Sequence, residues 1–189
     1  MRLVAVEYLS ADGRMQMEDP EGREEEVGGW TVPYWDDDLA DLQLQQLLAS
    51  DALLLGRVTY EHFAASWPSF TDANGFADRM NRLPKYVASR KLKEPLAWNA
   101  RLLEDDVVAA VRKLKQTSGG DLLIYGSGQL VDTLQPAGLI DEYRLIIHPV
   151  ILGRGKRLFE GENGRAGLFL ADVAITAKGV VTLVYRQAG

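Results

Sequence analysis

Apolar residues follow two periods along this chain. RLVAVEYL (2–9), ALLLG (52–56), KYVAS (85–89) and DLLIYG (121–126) are short, nearly unbroken apolar runs bounded by turn residues. Such runs predict strands buried on both faces. Between them the period lengthens. Leu39, Leu42 and Leu47 share one side of a predicted helix over 38–49, behind Asp36, Asp37 and Asp38, which supply N-cap oxygens and favourable charge. Val107, Val108, Val111 and Leu114 repeat at helical spacing over 105–117, with acidic residues at the start and Lys113 and Lys115 near the end. Further helices are predicted from about 58 to 65, over 76–83 and over 128–135, the last stopped by Pro136. Residues 141–152 predict a long strand, and about 169–176 with 180–186 a hairpin turning near Lys178-Gly179. Residues 14–37 and 67–75 read as loops. Trp30 and Trp35 in the first argue that it packs over something.

Alternating strands and helices imply parallel pairing with right-handed crossovers, and the closing hairpin adds antiparallel strands. The expected fold class is therefore α/β: a three-layer, mixed but mainly parallel central sheet flanked by helices, with a C-terminal antiparallel hairpin. A length of 189 residues suits a single domain over 1–189. The net charge of −6 speaks against a nucleic-acid partner, because phosphate backbones require a basic face. With no cysteine, disulfides and thiolate chemistry are excluded, and His62 and His148 lack metal-ligand spacing, so no metal is expected. No apolar run is long enough for a membrane span, and the cytoplasm is the expected location.

Three predicted strands end in small or basic residues before a turn: LLLGRVT (53–59), YVASR (86–90) and LIYGSG (123–128). In an open α/β sheet the C-terminal ends of parallel strands face the ligand. Gly56, Gly126 and Gly128 admit close approach, Arg57 and Arg90 can fork two hydrogen bonds to a phosphate, and Thr59 and Ser89 add hydroxyls. Each signal alone fits an ordinary turn; the three together point to a phosphate-bearing ligand. The common dinucleotide fingerprint is absent, since valine stands at position 131 where its third glycine belongs, and there is no P-loop. Arg79, Arg82, Lys85, Arg90, Lys91 and Lys93 gather positive charge in one short stretch, which suits an extra phosphate.

S-A-D-G-R (10–14), L-L-L-G-R-V-T-Y-E (53–61), V-A-S-R (87–90), Y-G-S-G-Q-L (125–130), G-L-I-D-E-Y (138–143) and P-V-I-L-G-R-G-K-R-L-F (149–159) cover most of the chain. In these stretches it resembles the dihydrofolate reductase-like superfamily, above all the reductase domain of bacterial bifunctional riboflavin-biosynthesis deaminase-reductases and their stand-alone relatives. The resemblance implies NADPH as cofactor. It assigns Gly56, Arg57 and Thr59 to the cofactor phosphates and Ser89 and Arg90 to the adenosine 2′-phosphate. Gly126, Ser127 and Gly128, followed by Gln129 and Leu130, fall to the pyrophosphate and nicotinamide side.

On the substrate side the resemblance points to Asp12, in S-A-D-G, and to Asp37 or its neighbour Asp36 at a helix start after a long loop. Asp12 and Asp37 are the candidate catalytic acids. Trp30, Trp35 and Trp67, with Asp36, are the candidate walls and anchor for a flat heterocycle. Tyr125-Gly126-Ser127 departs from the Glu-Gly-Gly usual in the riboflavin-pathway reductases, and the deaminase half is missing. The expected activity is hydride transfer to a C=N or C=O group of a small heterocycle, resembling 5-amino-6-(5-phosphoribosylamino)uracil reductase or a pterin reductase. The alternative is a non-catalytic NADP(H)-binding sensor. The family and the exposed edges of the last strands imply a homodimer.

Overall fold

The computed structural model describes residues 1–15, 29–161 and 165–188. Eight strands join one sheet: β1 (Arg2–Ser10), β2 (Ser50–Gly56), β3 (Lys85–Ala88), β4 (Ala100–Leu102), β5 (Asp121–Tyr125), β6 (Glu142–His148), β7 (Leu168–Ile175) and β8 (Val181–Gln187). Their order is β4-β3-β2-β5-β1-β6-β8-β7. The first six run parallel; β8 lies antiparallel between β6 and β7. The expected mixed sheet with its closing hairpin is therefore what the chain forms.

Five α-helices cover the sheet: α1 (Asp37–Leu48), α2 (Arg57–Ser66), α3 (Phe76–Arg82), α4 (Val107–Lys115) and α5 (Gly128–Leu134). Side chains alternate across each strand, so one face receives Leu3, Ala5 and Leu9 of β1 and the other Val4 and Val6. The first set packs with Leu54 and Ile124 under Val111 of α4 and Val131 and Leu134 of α5. The second packs with Leu55, Leu123 and Tyr125 under Leu39 and Leu47 of α1, Tyr60 of α2 and Met80 of α3. Two apolar layers on opposite faces of one sheet are why the strands read as continuous apolar runs.

Three details depart from the sequence reading. β4 was not expected; its three residues pair with β3 at Lys85↔Ala100 and Val87↔Leu102, too short a run to show a period. β6 ends at His148 rather than near residue 152, because Pro149 has no N–H for the ladder. Of the long polar segment, residues 29–34 form a two-turn 3-10 helix that buries Trp30 and Thr31, while 16–28 lie outside the described residues.

β7 carries Leu168, Leu170, Val173 and Ile175, all exposed. A register shift between Leu170 and Asp172 keeps these four side chains on one face, despite the uneven spacing. Among the described residues no helix covers that face over β7.

Candidate functional site

The C-terminal ends of β2 and β5 are tied together by one side chain. Gly126 and Ser127 both take left-handed backbone angles, φ 57° and 64°, which turn the chain sharply from β5 into α5. That turn points the Ser127 hydroxyl back at β2. Ser127 Oγ accepts the Gly56 N–H at 2.9 Å and lies 2.9 Å from Thr59 Oγ1. A methyl group on Gly56 would sit 3.1 Å from the same oxygen. The glycine that ends β2 thus leaves room for a hydroxyl of the chain itself, and Gly56, Thr59, Gly126 and Ser127 form one unit. Gly128 follows at the start of α5. A Cβ there would stand 2.7 Å from Met15 Sδ, so the residue behind Ser10 closes over the same turn.

The remaining candidates surround this unit unevenly. Arg57 opens α2 and donates to Glu61 at 2.6 Å, one helical turn on, with both side chains partly in water. Gln129 is exposed, whereas Leu130 turns into the core and offers only backbone. After β3, Ser89 Oγ accepts the N–H groups of Lys91 and Leu92, both at 3.1 Å, and Arg90 is exposed.

The basic stretch does not act as a unit. Arg90, Lys91 and Lys93 follow β3, at its C-terminal end. Arg79 and Arg82 precede it, and Lys85 is its first residue. Arg79 donates to the carbonyl of Ser50, where β2 begins, and Arg82 pairs with Asp78. Lys85 is buried, donates to the Asn81 carbonyl at 2.9 Å and lies 3.9 Å over the Trp98 ring; burial lowers its pKa to about 8. Lys85 stands at the opposite end of β3, a strand roughly 13 Å long, from the stretch that carries Arg90.

Asp12 performs a different task from proton donation. Its carboxylate accepts the Ser10 hydroxyl at 2.6 Å and the N–H groups of Leu152 and Gly153 at 3.0 Å each. These bonds, the Ser10 hydroxyl first, hold it ionised far below the usual carboxylate range. Arg14 donates to the carbonyls of Gly155 and Gly153, and the Met15 N–H to that of Lys156. Residues 10–15 and 150–157 are thereby zipped together beside the Gly126–Gly128 turn. At neutral pH Asp12 has no proton to give.

Asp36 is the N-cap of α1: one oxygen accepts the Leu39 N–H at 2.9 Å and the other the Lys178 N–H at 3.0 Å. The Leu39 bond first, then Lys178, lowers its pKa. Asp38 accepts the Ala177 N–H at 3.0 Å. The acidic cluster fastens α1 to the β7–β8 turn. Asp37 is exposed on the first turn of α1.

The candidate aromatic walls divide. Trp30 stands edge-on to His148, ring centroids 5.2 Å apart, with Tyr8 stacked at 5.6 Å and Tyr34 edge-on at 6.0 Å. Trp67 belongs to a separate cluster with Phe63, Phe70 and Phe76. Trp35 is exposed. His148, read from sequence as structural, is the centre of the first cluster. Its place at the end of an apolar strand before Pro149 was visible in the sequence, but its neighbours, more than a hundred residues away, were not.

This mainly parallel sheet, with its flanking helices and terminal hairpin, defines the dihydrofolate reductase-like fold. Dihydrofolate reductase from Enterococcus faecalis, solved with NADP(H), superposes with TM-score 0.61 over all of this chain and 97% of its own, at 15% identity. More specifically, the model of the RibD C-terminal domain matches residues 2–184, and the chain belongs to that family. It is similar to YyaP of Bacillus subtilis, an uncharacterized protein, with 33% identity over 145 residues covering 74% of this chain and 75% of YyaP. A Shewanella sp. PV-4 protein named for riboflavin biosynthesis superposes with TM-score 0.79 over the full length of both chains, at 18% identity. Among the described residues no helix is long and apolar enough to cross a membrane.

Proposed function

We propose that the protein is an NADPH-dependent reductase that reduces a C=N or C=O group of a small oxo-heterocycle. The observation that carries this reading is the single unit made by Gly56, Thr59, Gly126 and Ser127. It brings two strand ends and the start of α5 to one place, with hydroxyls and turned backbone at its surface. Such a surface suits phosphate oxygens. Arg57 and Arg90 lie on its flanks to add charge, and Ser89 and Arg90 are the residues for a 2′-phosphate. Family membership and the NADP(H) bound by a protein of the same fold support the choice of cofactor. When bound, the nicotinamide supplies the hydride. The chain's part is to orient it and exclude water, and Asp12 and Asp36, held ionised, are not the source of the accompanying proton.

That last point also favours a second reading, a non-catalytic NADP(H) binder. The two part in one experiment. Binding of NADPH and NADH is followed by fluorescence, and NADPH oxidation is then followed over a panel of aminopyrimidines and pterins. Preference for NADPH by about tenfold or more, with oxidation dependent on one panel member, supports the reductase. NADPH binding without oxidation of any compound supports the binder. Equal, weak binding of both nucleotides overturns the cofactor assignment. The reading further takes the protein as a homodimer.

A further inference from the structure

His148 and Trp30 each bury a ring nitrogen that lacks a hydrogen-bond partner among the described residues, His148 Nε2 and Trp30 Nε1. Burying a polar atom unpaired is costly, and folded proteins rarely do it without a use for the atom. The chemistry of both atoms is fixed. His148 Nδ1 faces two carbonyl oxygens, Ile146 at 3.1 Å and Leu9 at 3.4 Å. Carbonyls only accept, so Nδ1 carries the proton and Nε2 is a bare acceptor. Burial keeps the ring neutral by lowering its pKa. Trp30 Nε1–H can only donate. An acceptor and a donor therefore stand on adjoining rings, walled by Tyr8 and Tyr34, at the end of β6 and on the same sheet edge as the Gly126–Gly128 turn.

We propose that His148 Nε2 and Trp30 Nε1–H form a substrate-reading pair for a cyclic amide edge, N–H beside C=O, as found in oxo-pyrimidines and oxo-pteridines. This deepens the reductase reading and rests on it. The ligand N–H donates to His148 and its C=O accepts from Trp30. Tyr8 and His148 are anchored in β1 and β6. Trp30 sits on a short 3-10 helix whose Val32 is 68% exposed and whose neighbour Trp35 is 42% exposed. Trp30 is the wall that moves to admit the ring. A ring with an amino group and a bare nitrogen at this edge meets donor with donor and acceptor with acceptor, and is rejected.

With two histidines in the chain, an imidazole-labelled sample gives a readable nitrogen spectrum. The NADPH-loaded protein is titrated with pterin and with diaminopteridine. The expected result is an upfield move of the His148 Nε2 resonance on saturation with pterin, and pterin binding roughly ten- to hundredfold tighter than the diamino ring. His148→Phe keeps the aromatic box and erases that preference; Trp30→Phe weakens pterin while preserving the direction of preference. Pterin binding with Nε2 unmoved, equal affinity for the two rings, or no binding of either to the NADPH complex overturns the pair. Failure of NADPH itself to bind overturns the reductase reading as well, whereas normal NADPH binding with a silent Nε2 overturns this inference alone.

Discussion

At position 7, β1 carries a glutamate where its neighbours on the same face are Leu3, Ala5 and Leu9. Glu7 is fully buried, and neither carboxylate oxygen has a hydrogen-bond partner among the described residues. Burial raises its pKa well above the ordinary value, and the charge of Asp132 on α5 pushes the same way. The folded state thus holds the proton more tightly than the unfolded chain. The protein keeps this stability in full below the ordinary glutamate range and loses it as pH rises through the folded value. Glu7→Gln removes the titration. Its melting temperature, relative to wild type, is expected to climb as pH rises above the ordinary glutamate range; a constant difference would mean that Glu7 is ionised when folded. At Arg57, Arg57→Ala is expected to weaken NADPH by about tenfold, the low end for a charged hydrogen bond, because Glu61 competes for the guanidinium. Titration with NADPH checks it, and unchanged affinity would remove Arg57 from the site.

Elements meet at two joints. At the first, Gly126 must hold φ 57° for Ser127 to reach β2. Gly126→Ala is expected to destabilise by about 1–2 kcal/mol, the cost of a left-handed residue with a side chain, and to loosen NADPH with it. Chemical denaturation and cofactor titration read the two effects separately. At the second, Asp36 and Asp38 hold the β7–β8 turn. Asp36→Ala is expected to lower the melting temperature at neutral pH. The deficit should vanish as pH falls below the carboxylate range, because the depressed pKa of Asp36 places its contribution above that range. The joints also show what the sequence could tell. Strands β1, β2, β3 and β5 and helices α1 and α4 follow from period and caps, because those signals are local. That strand ends converge follows from parallel topology. Pairings such as Ser127 with Gly56, or Asp12 with Leu152 and Gly153, join positions 71 and 140–141 residues apart. No local pattern encodes them, so the sequence showed neither the bond from Gly56 to Ser127 nor the one by which Asp12 holds the 152–153 backbone.

For the whole molecule, the centre and the β7 rim of the sheet are finished differently. Helices cover β1, β2 and β5 on both sides, but over β7 the face with Leu168, Leu170, Val173 and Ile175 is open to water, Ile175 being 71% exposed. Contiguous apolar surface of this kind marks a contact site. If the homodimer forms there, Val173→Lys with Ile175→Lys should halve the mass seen by light scattering while the melting curve stays cooperative. Retention of a dimer by the double variant would place the interface elsewhere.

The uncovered hairpin has a consequence for how far assembly can go. A patch that matches its own copy is consumed when two chains meet through a twofold axis. At the opposite rim the sheet stops at β4, three residues long, which offers little to a third chain. If the hairpin face is the homodimer contact, raising the concentration should give pairs and then no more, in place of an open-ended filament.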